Sequence, residues 1–215
     1  MLLVIGLCIL IISINSAALL PDKIENQGAQ TRPINVSCVG DSITEWSGYP
    51  ARLQTMLGSD YKVGNFGVAG AAVSPNWYNC YVNRWEFYES KKFAPSIVLI
   101  MLGTNDAHTY QYASNFSSDY KKLVSEYLKL PSNPRIFLVK PPPIFDNKLE
   151  LSDTNLDSYV IPGIDQVANE LGLHTVDVNS VLGNHPDFFE DGVHPNSEGA
   201  HAIVTQIIEA VNFEN

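Results

Sequence analysis

The chain is organised around the stretch SIVLIMLGTND, residues 96–106, in which an uninterrupted apolar run leads directly into a polar turn. An apolar run without alternation is typical of a strand that is covered on both faces, as in a parallel sheet. The glycine, threonine, asparagine and aspartate that follow are residues that favour turns. We therefore predict a buried strand over residues 96–102 that ends in a polar loop.

Short apolar runs alternate with helix-length segments on both sides of this strand. Further strands are predicted at 34–39, 61–65, 135–139 and 173–178, and helices at 49–57, 118–130, 153–171 and 197–211. Pro50 suits the first turn of its helix, Gly172 suits the end of another, and Ser197 is expected to cap the last one. This alternation predicts an α/β fold, with a parallel sheet between two helical layers.

Four polar segments follow strands or precede the last helix. They are Gly40-Asp41-Ser42, residues 65–70, Gly103 to Asp106, and Asp191-Gly192-Val193-His194. Functional sites of such sheets lie beyond the carboxyl ends of the strands. We therefore expect the four segments to converge at one edge of the sheet.

Ser42, His194 and Asp191 are the residue types of a nucleophile, its general base and an acid that orients the base. The alternative for Asp41 and Ser42 is simple helix capping. Asn105 is the candidate side-chain donor to an oxyanion and Gly70 a backbone donor, because a glycine leaves room for the substrate. Asp106 is expected to tether its loop. The pattern predicts a serine esterase.

These segments resemble the sequence blocks of the SGNH (GDSL-type) hydrolase superfamily. The matching stretches are VGDSIT (39–44), NFGVAG (65–70), GTND (103–106) and DGVHPN (191–196), and the resemblance extends over residues 34 to about 212. It implies a three-layer, flavodoxin-like sandwich with five parallel strands in the order 2-1-3-4-5. It also implies catalysis by Ser42, Asp191 and His194, with an oxyanion hole of Ser42, Gly70 and Asn105. Within the superfamily, the chain resembles secreted carbohydrate O-acetylesterases more than phospholipases.

The substrate is expected to be a small acyl ester, in particular an acetyl ester, carried on carbohydrate. Residues 76–88 are rich in aromatic side chains, which suit sugar rings, although half or more of them could simply pack against the sheet. The candidate substrate contacts are Trp46, Val68, Trp77, Trp85 and Val193. A lysophospholipase or short-chain lipase, an acyltransferase and a catalytically inactive sugar-binding protein remain alternatives.

The amino-terminal residues predict export. Residues 1–12 are almost wholly apolar and are followed by Ser16-Ala17-Ala18, so residues 1–18 are expected to be a signal peptide, 19–33 a flexible lead-in and 34–215 the hydrolase domain. The expected location is extracellular or in the endomembrane lumen. Asn35 and Asn115 begin glycosylation sequons, of which Asn115 is the better acceptor. Whether Cys38 and Cys80 pair is left open.

The composition disfavours several classes of binding partner. The 215 residues carry a net charge of −10, which disfavours binding to nucleic acid and to anionic membranes. The cysteines lack the spacing of a zinc site, and the proposed chemistry needs no cofactor. The expected partner is a small-molecule or glycan ester, and the oligomeric state is left open.

Overall fold

The computed structural model describes residues 32–108 and 115–213, and these residues contain a five-stranded parallel sheet. The strands are β1 (Ile34–Gly40), β2 (Tyr61–Gly67), β3 (Ile97–Met101), β4 (Arg135–Lys140) and β5 (His174–Asp177). Their order across the sheet is β2-β1-β3-β4-β5, which confirms the predicted fold class. The expected signal peptide and most of the lead-in lie outside the described residues.

The middle of the sheet is formed by β1 and β3, which pair in parallel from Val36 opposite Ile97 to Gly40 opposite Met101. Every residue of β3 is buried, as the unbroken apolar run predicts. Since β1 and β3 end side by side, the polar segments that contain Asp41 and Gly103 emerge at the same edge.

Helices cover both faces of the sheet. They are α1 (Ser42–Trp46), α2 (Tyr49–Leu57), α3 (Trp85–Lys92), α4 (Phe116–Leu128), α5 (Asp153–Asn155), α6 (Ile161–Leu171), α7 (Val178–Leu182) and α8 (Ser197–Val211). Side chains of α3, α4 and α6 share one apolar cluster, and those of α1, α2, α7 and α8 share the other. Alternate residues of β3 enter the two clusters, for example Val98 the first and Leu99 the second.

Two predicted helices differ in detail from the expectation. The stretch 153–171 is helical, but α5 and α6 are joined by a wider π-turn at Leu156–Val160. Pro162 lies just beyond this turn and has no N–H to donate within the helix. The cap of α8 is Asn196 and not Ser197, because the Asn196 side chain accepts hydrogen bonds from the N–H groups of Glu198 and Gly199.

The cysteines are both buried free thiols, so Cys38 and Cys80 do not form a disulfide. Burial raises the pKa of the Cys38 thiol to about 12, so this thiol is unreactive and serves as a small apolar residue.

The two sequons differ in their surroundings. The Asn35 amide donates to the carbonyl of Phe93 at 2.6 Å, whereas Asn115 is exposed just before α4. Among the helices of the described residues, none has the length and apolarity needed to cross a bilayer.

Candidate active site

Ser42 lies directly beyond the carboxyl end of β1, at the first position of α1. Asp41 caps this helix, because its Oδ1 atom accepts a hydrogen bond from the N–H of Ile43 at 3.0 Å. The capping role that the sequence suggested for Asp41 is therefore present, and it fixes the orientation of the next residue. The N–H of Ser42 is one of the first helical N–H groups, which have no partner within the helix.

Ser42 is in contact with an acid–histidine pair from the other end of the chain. The Oγ atom of Ser42 is 2.9 Å from Nε2 of His194, and Nδ1 of His194 is 2.8 Å from Oδ2 of Asp191. If the ring donates Nδ1–H to the carboxylate, its Nε2 lone pair is left to accept the serine proton. The arrangement can therefore activate the Ser42 hydroxyl as a nucleophile.

The Asp191 carboxylate is held by its own loop. Its Oδ1 atom accepts hydrogen bonds from the backbone N–H groups of Val193 and His194, at 3.0 and 2.8 Å. Partial burial alone would raise the pKa of Asp191, but the bonds from the His194 ring and these N–H groups hold it below its usual value. Asp191 is therefore ionised at neutral pH and can stabilise a protonated His194.

Two further groups face the same cavity as Ser42. Gly70 has a φ of +71°, in the left-handed region that favours glycine. Asn105 donates one amide hydrogen from Nδ2 to the carbonyl of Ala71 at 2.9 Å. An amide nitrogen carries two hydrogens, so Asn105 keeps a second donor for a ligand. Ser42, Gly70 and Asn105 all line one cavity of about 400 Å³.

Asp106 has the tethering role expected of it. The carboxylate is buried and accepts hydrogen bonds from the N–H groups of Val73 and Ser74, at 2.9 and 3.0 Å. Burial raises the pKa of Asp106 to about 6, although these bonds oppose the rise. The loop after β3 thereby fixes the loop after β2, which carries Gly70.

Three of the five candidate substrate contacts line the cavity, and two do not. Trp46, Trp77 and Val193 are in its wall. Val68 is instead buried in the core cluster between the sheet and α4, so its expected place in the cleft is wrong. Trp85 begins α3, outside the cavity, where it is 67% exposed and lies beneath the ammonium group of Lys92. Its expected contact with substrate is also not supported by its position.

The cavity has other walls that the sequence did not identify. Tyr78, Thr104, His108, Leu149 and Leu151 complete it. Leu149 and Leu151 lie in the long segment between β4 and α5, and only the chain's path in three dimensions brings them to Ser42. Tyr78 lies within the aromatic stretch 76–88, and His108 closely follows the GTND segment. This proximity in sequence was the only signal that could have pointed to either residue.

A second, wider cavity of about 940 Å³ adjoins the first, and Trp46, Leu149 and His194 line both. Its remaining walls come mainly from α2 and from the segment around His194, with Arg52 donating to the hydroxyl of Ser197 at 3.0 Å. The two cavities form a cleft that extends across the Ser42–His194 pair. Within residues 32–108 and 115–213, no group of three or more His, Cys, Asp or Glu residues is placed to hold a metal ion.

The chain resembles known esterases in sequence and in fold. An acetylxylan esterase of Xylanibacter ruminicola is 31% identical over 206 residues, covering 83% of this chain and 43% of the relative. A multidomain esterase of Ruminococcus flavefaciens is 31% identical over 114 residues, covering 51% of this chain and 14% of the relative. The chain thus spans less than half the length of either curated relative.

A solved structure of a carbohydrate acetylesterase of Sinorhizobium meliloti has the same fold. Its TM-score is 0.68 at 19% identity, covering 83% of this chain and 98% of that one. The sequence model of the GDSL-like lipase/acylhydrolase family matches residues 38–202, a span that includes all four polar segments converging on the cleft. On this match, the chain belongs to the GDSL-like lipase/acylhydrolase family.

Proposed function

We propose that the protein is a serine esterase that removes small acyl groups, acetyl in particular, from carbohydrate through an acyl-enzyme on Ser42. The observation that supports this most directly is the hydrogen-bonded series from Ser42 Oγ through the His194 ring to Asp191, at 2.9 and 2.8 Å. The candidate oxyanion donors on Gly70 and Asn105 lie in the same cavity wall.

In the proposed reaction, His194 takes the proton of Ser42 through Nε2 while Oγ attacks the ester carbonyl carbon. The negative charge that develops on the carbonyl oxygen is stabilised by the N–H groups of Ser42 and Gly70 and the side chain of Asn105. His194 then gives its proton to the departing sugar oxygen, which leaves acetyl-Ser42. Water, deprotonated by His194, attacks this ester, and acetate is released with Ser42 regenerated.

The size of the cleft supports an ester of a large alcohol. The cavity at Ser42 holds about 400 Å³, and the adjoining cavity holds about 940 Å³. Trp46 is 62% exposed between them, where an indole face suits the apolar face of a sugar ring. The similarity to an acetylxylan esterase and to a carbohydrate acetylesterase also supports this substrate class.

Export of the enzyme is also a proposal, supported by the apolar segment at residues 1–12 and the small residues after it. Amino-terminal sequencing of protein recovered from the culture medium would test it. A secreted form that begins near residue 19 is expected, and a chain retained in the cell with Met1 present would contradict it.

The substrate test is release of acetate or fatty acid from acetylated xylo-oligosaccharides, other acetylated polysaccharides, acetylated sialic acids and lysophospholipid. We expect kcat/KM to be highest for acetyl esters of sugars and to fall by butyryl or hexanoyl. In a deep apolar pocket, burial of each added methylene would instead contribute about 0.8 kcal/mol of binding free energy, so kcat/KM would rise with acyl chain length. The Ser42→Ala variant should be inactive and should lose labelling by a fluorophosphonate. A higher kcat/KM for lysophospholipid than for every sugar ester would mean that the protein is a lipase and not a carbohydrate esterase.

A further inference from the structure

We propose that Asn79 is a positioning residue that aims the N–H of Gly70 into the oxyanion hole. The side chain of Asn79 donates from Nδ2 to the carbonyl of Ala69 at 2.8 Å. This inference rests on the proposed function, because it concerns a residue that acts through Gly70. Asn79 itself is half-buried behind the loop and is not among the residues lining the cavity at Ser42.

The geometry of the peptide group connects the two residues. The carbonyl of Ala69 and the N–H of Gly70 belong to the same planar peptide, and in a trans peptide they point in opposite directions. A donor that holds the Ala69 oxygen on one side therefore directs the Gly70 hydrogen to the other side. Since Gly70 lines the cavity that contains Ser42, this orientation places its N–H where an oxyanion would develop.

Gly70 lies in a turn that is closed by a hydrogen bond from the Ala71 N–H to the Val68 carbonyl at 3.0 Å, and this bond alone does not fix which way the central Ala69–Gly70 peptide points. Gly70 lies beyond the end of β2 with a φ of +71°, a region where glycine has great conformational freedom. Side chains fix the peptides around it one by one. Trp77 Nε1 donates to the Gly70 carbonyl at 3.0 Å, and Asn105 Nδ2 donates to the Ala71 carbonyl at 2.9 Å.

On the preceding side, the N–H of Ala69 donates to the Glu45 carboxylate at 2.5 Å. Three successive carbonyls, from Ala69 to Ala71, are thus held by three different side chains. Of these bonds, only the one from Asn79 acts on the peptide that contains the Gly70 N–H. The bonds from Trp77 and Asn105 act on later peptides.

The backbone of Asn79 is held by hydrogen bonds within its loop. Its backbone carbonyl accepts from the N–H of Ala72 at 3.1 Å, and the N–H of Tyr81 donates to the Ala72 carbonyl at 2.9 Å. These bonds close residues 72–81 into a loop, and the buried Asp106 carboxylate ties its start to the segment after β3. A loop held in this way can keep the Asn79 amide at the Ala69 oxygen, and this contact in turn can keep the Gly70 N–H in one orientation.

The experiment compares two variants of this side chain. Asn79→Asp keeps the size but presents an acceptor to the Ala69 oxygen, and Asn79→Ala removes the contact. Asn76→Asp, at an exposed asparagine of the same loop, is the matched control. Each is measured for kcat and KM on an aryl acetate, for inhibition by a small boronic acid that mimics the tetrahedral intermediate, and for its thermal midpoint.

We expect kcat to fall about tenfold to a hundredfold in both Asn79 variants, less than for loss of a whole oxyanion donor, with KM nearly unchanged. In both Asn79 variants the affinity for the boronic acid should fall in parallel with kcat, whereas the affinity for the product acetate should stay unchanged. The Asn76→Asp control should behave as wild type.

Two results would overturn the inference. One is a folded Asn79→Ala enzyme with wild-type kcat and boronic acid affinity. The other is a fall in thermal midpoint with no loss of kcat in the remaining folded enzyme, which marks Asn79 as structural only. Aryl acetate hydrolysis by wild type, absent in Ser42→Ala, checks the proposed function separately. If that comparison succeeds and the Asn79 variants stay active, only the role of Asn79 is wrong.

Discussion

Asn105 has two amide hydrogens, and a bond within the protein uses one of them. That hydrogen is donated to the Ala71 carbonyl, which orients the side chain and leaves the other for a ligand in the cavity that Asn105 lines. A donor that is already oriented needs no rearrangement when charge develops on the substrate. Asn105 therefore belongs both to the loop that holds Gly70 and to the proposed oxyanion hole.

Replacing this side chain tests its proposed role directly. Asn105→Ala should lower kcat by roughly a hundredfold to a thousandfold, the usual effect of losing one oxyanion donor. KM should change little, because the donor acts mainly in the transition state. Steady-state hydrolysis of an aryl acetate measures both constants, with the exposed Asn83→Ala as control. An Asn105→Ala variant that keeps nearly the full kcat would show that Asn105 is not an oxyanion donor.

Asp41 next to the serine is a buried carboxyl whose ionisation costs stability. Burial raises its pKa from 3.8 to about 6, against the hydrogen bond from the Ile43 N–H. The folded protein therefore binds this proton more tightly than the unfolded chain does. The stabilisation is fully present below about pH 4 and is lost as pH rises through 6.

An Asp41→Asn variant should lack this pH dependence. Moving a pKa from 3.8 to about 6 corresponds to roughly 3 kcal/mol, so the stability of the variant relative to wild type should rise by up to that amount between pH 4 and pH 7. Urea unfolding at several pH values measures the difference, with the exposed Asp60→Asn as control. A difference that stays constant with pH would contradict the buried-charge explanation.

At the scale of the elements, the segment from Asp191 to His194 depends on one glycine. Gly192 has a φ of +84°, and a Cβ atom there would overlap the carbonyl oxygen of Asp146. Its own carbonyl accepts from the N–H of Phe145 at 2.8 Å. The Asp191–His194 pair, proposed to be catalytic, thus lies on a loop that packs, backbone against backbone, on the segment after β4.

Gly192→Ala should therefore damage both stability and turnover. The strained backbone conformation alone costs about 1–3 kcal/mol, and relieving the overlap would move His194 away from Ser42. Chemical denaturation and kcat on an aryl acetate measure the two effects. Gly183→Ala is a suitable control, since its φ is −58° and the nearest atoms to a new Cβ are 3.6 Å away. Wild-type behaviour of Gly192→Ala would show that the loop tolerates a shift.

The sequence predicted β3 and β4 well because each contains an apolar run bounded by turn residues, as at 96–106. It missed α3, since only Phe87 and Ser90 of that helix are buried and no apolar periodicity marks it. The stretch 76–88 was expected to be a loop, but Tyr81 and Phe87 are core residues and Trp85 starts a helix. Aromatic composition could not reveal which rings face the cleft.

Motifs located the residues of the proposed reaction but not the walls of the site. Ser42 and Asn105 could be found because they follow predicted strands, and His194 because it precedes the last predicted helix. The placement of Leu149 depends on how a long segment folds back after β4, for which no local signal exists. Val68 was misplaced because its side chain points into the core and only its neighbour Gly70 reaches the cavity.

For the molecule as a whole, the extended cleft predicts a preference for oligosaccharides over small esters. Trp46 lies between the two cavities and lines both. Trp46→Ala should lose about 1 kcal/mol of contact with a sugar chain, which raises KM roughly fivefold for acetylated oligosaccharides. Hydrolysis of a small aryl acetate should be nearly unaffected.

The matched control is Trp85→Ala, because Trp85 is exposed to a similar degree, 67% against 62%, but lies outside the cleft. Acetate release from xylo-oligosaccharides of increasing length measures the effect. If the two variants lose the same activity, or if chain length has no influence on wild type, binding does not extend across Trp46.

The bond between Ser42 and His194 joins residues that are 152 positions apart in the chain. If Ser42 and His194 act together as proposed, no nascent chain that ends before residue 194 can hydrolyse the ester. Two fragments divided between these residues should each be inactive on a chromogenic ester, and any activity of the mixture would report that the fragments had associated.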